Sequence, residues 1–160
     1  MRYKMATRSA IAMKTPEGKI KAIYCHWDGY VDHNGKILIN HYTDAEMVNN
    51  LIELGDLSTL GTVIGEKQNF DAKHGNEPEL PMTDDWCLAY HRDRGENWAD
   101  TSPQTMNDAV EFIDAFEGSA CEYFYLFNGQ DWLVSNGKKD ANGFPTFDFV
   151  EVEILKEITQ

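Results

Sequence analysis

Cysteine is scarce in this 160-residue chain: Cys25, Cys87 and Cys121 are the only three. An odd number at wide spacing is no disulfide framework, and it suits a reducing compartment. Each cysteine has apolar or aromatic neighbours, so each reads first as a small buried hydrophobe. Long apolar runs are missing too. No stretch approaches the ~18 residues of a membrane-spanning helix, and no apolar segment follows Met1-Arg2-Tyr3-Lys4-Met5 to make a secretory leader. No Cys-x-x-Cys, His-Glu-x-x-His or calcium-loop spacing occurs, so no metal site and no cofactor are expected. Glycine-rich phosphate loops, the Gly-x-Ser-x-Gly elbow and Ser-x-x-Lys are likewise absent.

Positive charge is also in short supply. Fourteen Lys and Arg stand against 27 Asp and Glu, for a net charge of −13. Residues 1–42 carry seven basic and three acidic side chains, and residues 43–160 carry seven and twenty-four. Such a chain is repelled by phosphate backbones and by anionic membranes, so neither nucleic acid nor membrane is expected as a partner. Its natural electrostatic partner is a basic protein surface.

What is present reads as one domain over residues 1–160. Thr7–Lys14 and Lys19–Cys25 alternate as strands around the turn Pro16-Glu17-Gly18, making a hairpin. Lys36–Tyr42 reads as a short helix. Thr43-Asp44-Ala45-Glu46 has the form of a capping box, with Thr43 as N-cap, opening a helix that Gly55 stops. Residues 57–64 read as an irregular turn. Residues 65–85 form a long loop excursion rich in acids. Trp86–His91 alternates as a strand. Ser102-Pro103 predicts the start of a helix carrying Met106, Ala109, Val110, Ile113 and Phe116. Cys121–Phe127, Asp131–Val134 and Phe147–Leu155 read as the last strands. The implied class is α+β: a mostly antiparallel sheet of about six strands, with two to three helices on one face.

Two clusters are dense in chemistry-bearing residues. Tyr24-Cys25-His26-Trp27-Asp28-Gly29-Tyr30, with His33 behind it, offers a thiol, imidazoles and a carboxylate. Neighbouring strand residues face opposite ways, so Cys25 and His26 do not pair within a strand. A metal gathered by Cys25, His26, Asp28 and His33, with His41 or His91 as a further ligand, lacks a recognised spacing. The bland alternative is a turn in which position 29 adopts φ > 0 and the side chains satisfy loop amides. His91-Arg92-Asp93-Arg94-Gly95-Glu96 carries two of the chain's four arginines. They suit a carboxylate or phosphate, or internal pairing with Asp93, Glu96 or Asp28.

Ile23-Tyr24-Cys25-His26-Trp27-Asp28-Gly29-Tyr30 is followed by His33-Asn34-Gly35-Lys36-Ile37-Leu38 and His41-Tyr42. With Leu54-Gly55-Asp56-Leu57-Ser58-Thr59-Leu60-Gly61 and Arg92-Asp93-Arg94-Gly95-Glu96, the pattern resembles a widespread family of small bacteriophage and prophage proteins. The likeness runs over roughly the whole chain. Size and acidity are also similar to those of the Lon protease inhibitors of T-even-type phages. The resemblance implies a non-enzymatic phage protein in the host bacterial cytoplasm. It implies binding and inhibition of a host protein, with the ATP-dependent Lon protease as preferred target, without cleavage of the inhibitor. No catalytic residue comes with it. The candidate binding residues are Trp27, Asp28, Tyr30, Glu77, Glu79, Asp84, Asp85, Arg92 and Arg94. Two other classes stay open: an anti-defence protein that mimics DNA or sequesters a nucleotide signal through Trp27, Tyr30, Arg92 and Arg94, and a metal- or Cys-dependent hydrolase. A homodimer also stays open.

Overall fold

In the strand Arg8–Lys14 (β1), Ala10 and Ala12 point to one side and Ile11 and Met13 to the other, and all four are buried. A strand apolar on both parities must be covered on both faces. The computed structural model of the chain, which describes residues 6–70, 83 and 85–150, shows that cover. β1 turns through Gly18, at φ 81, into Ile20–Cys25 (β2), with Ala12 opposite Ala22. A π-helical turn, Val31–Gly35, leads into Lys36–His41 (α1) and then Ala45–Ile52 (α2). Leu57–Thr59 (β3), Leu88–Ala89 (β4), Tyr90–Arg94 (α3), Trp98–Thr101 (α4) and Gln104–Met106 (β5) follow. Ala109–Glu117 (α5), Cys121–Phe127 (β6), Trp132–Ser135 (β7) and Asp148–Phe149 (β8) complete the described elements.

The strands form one sheet in the order β4-β3-β2-β1-β6-β7-β8, with β5 paired to the outer edge of β2. The class is α+β. Five of the seven pairings are antiparallel; β1–β6 and β2–β3 are parallel. The sheet is thus mixed and longer than six strands. The β2–β3 step is parallel because a helical crossover, α1 with α2, carries the chain back to the starting end.

The expectation of helices on one face is corrected. Leu38, Val48, Leu51 and Ile52 from α1 and α2 pack with Ile11, Ile23 and Tyr125 on one face. Phe112, Ile113 and Phe116 from α5 pack with Ala10, Ala22 and Phe124 on the other. The alanines of β1 and β2 leave room for the three phenylalanines, whose rings meet edge-on: Phe112 lies 5.6 Å from Phe116 and 6.0 Å from Phe124. Each such buried ring or branched aliphatic side chain contributes about 1.5–3 kcal/mol.

Several boundaries move. The N-cap of α2 is Asp44, whose carboxylate accepts from the Met47 amide at 2.8 Å, rather than Thr43. Helix α5 starts six residues after Pro103: residues 104–106 pair with β2, and Asp108 caps the helix by accepting from the Glu111 amide. Residues 57–59, expected as irregular, add a short strand. The strand expected over Trp86–His91 shrinks to Leu88–Ala89, because α3 begins at Tyr90. The last strand is described at Asp148–Phe149, and residues 151–155 lie outside the described residues. So do residues 71–82 and 84 of the 65–85 excursion, although its first part is fastened down: Gln68 and Asn69 are buried.

Candidate functional site

β2 runs out at Cys25, but its line continues, as the His26 and Trp27 amides donate to the Leu57 and Ser58 carbonyls, each at 3.0 Å. Asp28 then takes a left-handed backbone, φ 57, which costs a residue other than glycine about 1–2 kcal/mol. Its neighbours hold it there. The Gly29 amide donates to the Thr7 carbonyl at 2.8 Å, and the buried Tyr125 hydroxyl donates to the Gly29 carbonyl at 2.7 Å. Beneath the loop, the buried Asn34 amide nitrogen reaches the Trp27 carbonyl (3.4 Å) and the Ser9 hydroxyl (3.3 Å). Position 28, not 29, carries the positive φ. Gly29 is required for another reason: a Cβ there would lie 2.7 Å from Ser9 Cβ and 2.8 Å from the Thr7 carbonyl oxygen.

The Tyr30 hydroxyl donates to the Asp28 carboxylate at 3.2 Å, and the Tyr30 ring meets His33. Trp27 packs edge-on against His26, 4.7 Å between centroids. Facing this loop is a second wall, residues 59–70 with Thr83 and Trp86–Leu88. Between them lies a cleft of about 410 Å³, lined by Asp28, His33 and Ile37 on one side and Thr59, Phe70 and Trp86 on the other. Trp86 sits against Gly65, where a Cβ would fall 2.2 Å from its ring.

Arg92 builds that second wall. Its Nε and one Nη donate to Asp93 at 3.0 and 3.2 Å, and the remaining bonds go to the carbonyls of Ile64 (2.9 Å), Gly65 (3.2 Å) and Cys87 (2.7 Å). All five guanidinium donors are engaged. Asp93 is buried and also accepts from the Gln68 and Ala89 amides at 3.0 and 2.7 Å. The Gln68 side chain bridges the Cys87 carbonyl and the Thr83 amide. Arg92 is therefore a structural clamp with no donor left for a phosphate or carboxylate ligand. Arg94 is exposed, pairs with Glu96 at 2.8 Å and lies over the rings of Phe70 and Tyr90.

The three thiols are closed off. Burial pushes Cys25 and Cys121 up to about 12 and raises Cys87 as well. Cys87 Sγ accepts from the Gly61 amide and meets the Tyr42 hydroxyl, and Cys25 Sγ meets the Asn34 amide. A nucleophilic cysteine needs the opposite environment, an accessible and electropositive one. The histidines are engaged separately: His26 with the Tyr24 hydroxyl (2.7 Å), His33 with Asn34 (2.9 Å) and His91 with the Glu96 carbonyl (2.7 Å). Burial, and then the nearby Arg8, lower the His26 pKa. Among the described residues, no group of three or more His, Cys, Asp or Glu side chains gathers as a metal site.

The structure thus puts Asp28 at the cleft and bonds Tyr30 to it, while Trp27, next in the loop, is not among the lining residues. Asp85 is exposed on the second wall, where its carbonyl accepts from the Val63 amide at 3.1 Å. Glu77, Glu79 and Asp84 lie outside the described residues. Arg92 pairs internally with Asp93, one of the partners the sequence offered it. Sequence reasoning missed Asn34 and Gln68 as buried polar groups that shape the site, and Phe70 and Trp86 as its ring wall. The acidic residues of α5 and its cap, Asp108, Glu111, Asp114 and Glu117, are all exposed on its outer face. No helix among the described residues is long and apolar enough to cross a membrane. Compared with protein-family models, curated proteins and solved structures, the chain matches none.

Proposed function

We propose that the chain is a bacteriophage-encoded acidic protein of the host bacterial cytoplasm. It binds and inhibits a host protein, the ATP-dependent Lon protease being the preferred target, and is not itself cleaved. The observation that carries this reading is the placement of negative charge on rigid structure. The row Asp108, Glu111, Asp114 and Glu117 stands on a helix whose other face is locked into the core by Phe112, Ile113 and Phe116. A pre-ordered charged face steers association with a basic surface and loses little entropy on docking. The closed thiols and the self-contained Arg92 clamp direct the reading away from a cysteine hydrolase and from capture of a nucleotide by Arg92.

The test uses purified full-length chain, Lon, ATP and an unfolded protein substrate. Degradation stops at near-stoichiometric inhibitor, the inhibitor stays intact on a gel, and the association rate falls steeply as salt rises to physiological strength. Unimpaired degradation at large excess of folded chain rejects Lon as the target. A pull-down from host lysate then identifies another partner.

A further inference from the structure

The cleft beside Asp28 has a consistent chemical character. Among the described residues, its lining holds a carboxylate and no lysine or arginine. The Asp28 side chain receives one hydrogen bond, from Tyr30, and forms no ion pair among the described residues. His33 adds a second acceptor. The Asn34 amide nitrogen is turned toward the Trp27 carbonyl, so its oxygen faces His33 and His33 Nδ1 is the donor of that bond. In the neutral ring, Nε2 then carries a lone pair. Across the cleft, the Thr62 hydroxyl gives its proton to the Asp85 carbonyl at 3.3 Å and keeps its lone pairs. Phe70 and Trp86 supply ring surface.

A negative charge, hydrogen-bond acceptors and aromatic rings complement a guanidinium, and one face of Phe70 already carries such a group, that of Arg94, 4.8 Å from the ring centroid. A guanidinium is planar, offers five donors and stacks on rings. An ammonium matches the charge but not the stacking. We propose that this cleft takes up an arginine side chain presented by the protein partner, with Asp28 as the charge partner and Phe70 and Trp86 as the stacking wall. The inference rests on reading the chain as a binder of a basic protein surface.

The test titrates the full-length chain with N-acetylated, amide-capped arginine, lysine and citrulline, followed by amide and indole chemical shifts. Arginine is expected to saturate with shifts at Trp86 and Asp28, lysine to bind at least five-fold more weakly, and citrulline, its uncharged near-isostere, not to saturate. Asp28→Asn should weaken arginine at least ten-fold with unchanged melting, because asparagine tolerates the left-handed backbone as aspartate does. Equal binding of arginine and citrulline to the unmutated chain overturns the proposal, whatever the variant does. So does absence of saturation with arginine, or full affinity in a folded Asp28→Asn chain. If arginine fails to bind while Lon is still inhibited, the cleft assignment falls and the proposed function stands. If arginine binds and Lon is untouched, the reverse holds.

Discussion

Gly29→Ala is the smallest change with a large expected effect. The added methyl carbon would sit 2.7 Å from Ser9 Cβ, 2.8 Å from the Thr7 carbonyl oxygen and 3.0 Å from the Arg8 carbonyl carbon. Two of these are backbone atoms of β1 and its approach, and the third is fixed to that backbone, so no side-chain rotation relieves the contact. Either β1 shifts or the 26–35 loop lifts. Lifting the loop weakens the Gly29–Thr7 bond and the buried Tyr125–Gly29 bond, 2.8 and 2.7 Å long. Overpacking of this kind costs about 1–3 kcal/mol and weakening buried hydrogen bonds adds about 1 kcal/mol. The expected loss is therefore about 2–4 kcal/mol, or about 5–15 °C in melting temperature for a chain of this size. Gly18→Ala is the comparator: its φ is 81 but nothing lies within 4 Å of the added carbon, so it carries only backbone strain of about 1–2 kcal/mol. Urea unfolding of the three proteins measures both. A Gly29→Ala chain within 0.5 kcal/mol of the original, or one less affected than Gly18→Ala, refutes the close-approach argument (the 0.5 is about the scatter of a harmless surface change).

Asp56 makes stability depend on pH in an unusual direction. Burial pushes its carboxyl up to about 6, while the Tyr24 amide it accepts from pulls it down and Glu96 pushes it up again. Since the folded value lies above the unfolded one, its stabilising contribution is full below about pH 4 and is lost as the pH rises through about 6. Asp56→Asn keeps the oxygen that accepts from Tyr24 and removes the ionisation. It should flatten the stability profile between those values and gain about 1–2 kcal/mol at pH 7, allowing for solvent screening; an unchanged profile counts against the assignment. The thiols give a third outcome. Cys25, Cys87 and Cys121 should resist iodoacetamide at neutral pH in the folded chain and all react in denaturant, read by mass. Each Cys→Ala change should cost about 1 kcal/mol, and rapid labelling of any one in the folded chain refutes its burial.

Local periodicity carried the β1–β2 hairpin, α2, β6 and β7, because their partners lie close in sequence or their burial repeats regularly. It failed where a tertiary contact decides the backbone. Trp86–His91 alternates like a strand, yet the Asp93 carboxylate takes the Ala89 amide and the chain coils at Tyr90. Ser102-Pro103 has the composition of a helix start, yet the free edge of β2 recruits Gln104–Met106 as a strand. The second helical face was legible in β1, whose two parities are both apolar, and the one-face expectation ignored that. The candidate site was legible only as a dense segment. Asp28 falls at the cleft with Tyr30 bonded to it, but the opposite wall depends on Arg92 reaching carbonyls at 64, 65 and 87, a long-range geometry that spacing does not encode.

The parallel pairing of β1 with β6 also sets an order of events during synthesis. β1 meets β2 within a few residues, so that hairpin can close as soon as it leaves the ribosome. Its other edge is matched to residues 121–127, which emerge only after most of the chain has been made. At ordinary translation rates that delay is several seconds. Throughout it, β1 presents unpaired amides and carbonyls along a strand that is apolar on both sides, the kind of edge that invites pairing with another chain. Yield in an expressing cell should therefore depend on translation speed and chaperone supply more than the finished fold would suggest. Joining β1 to β6 closes a loop of about a hundred residues, a non-local pairing whose closure entropy must be met before its contacts stabilise the sheet.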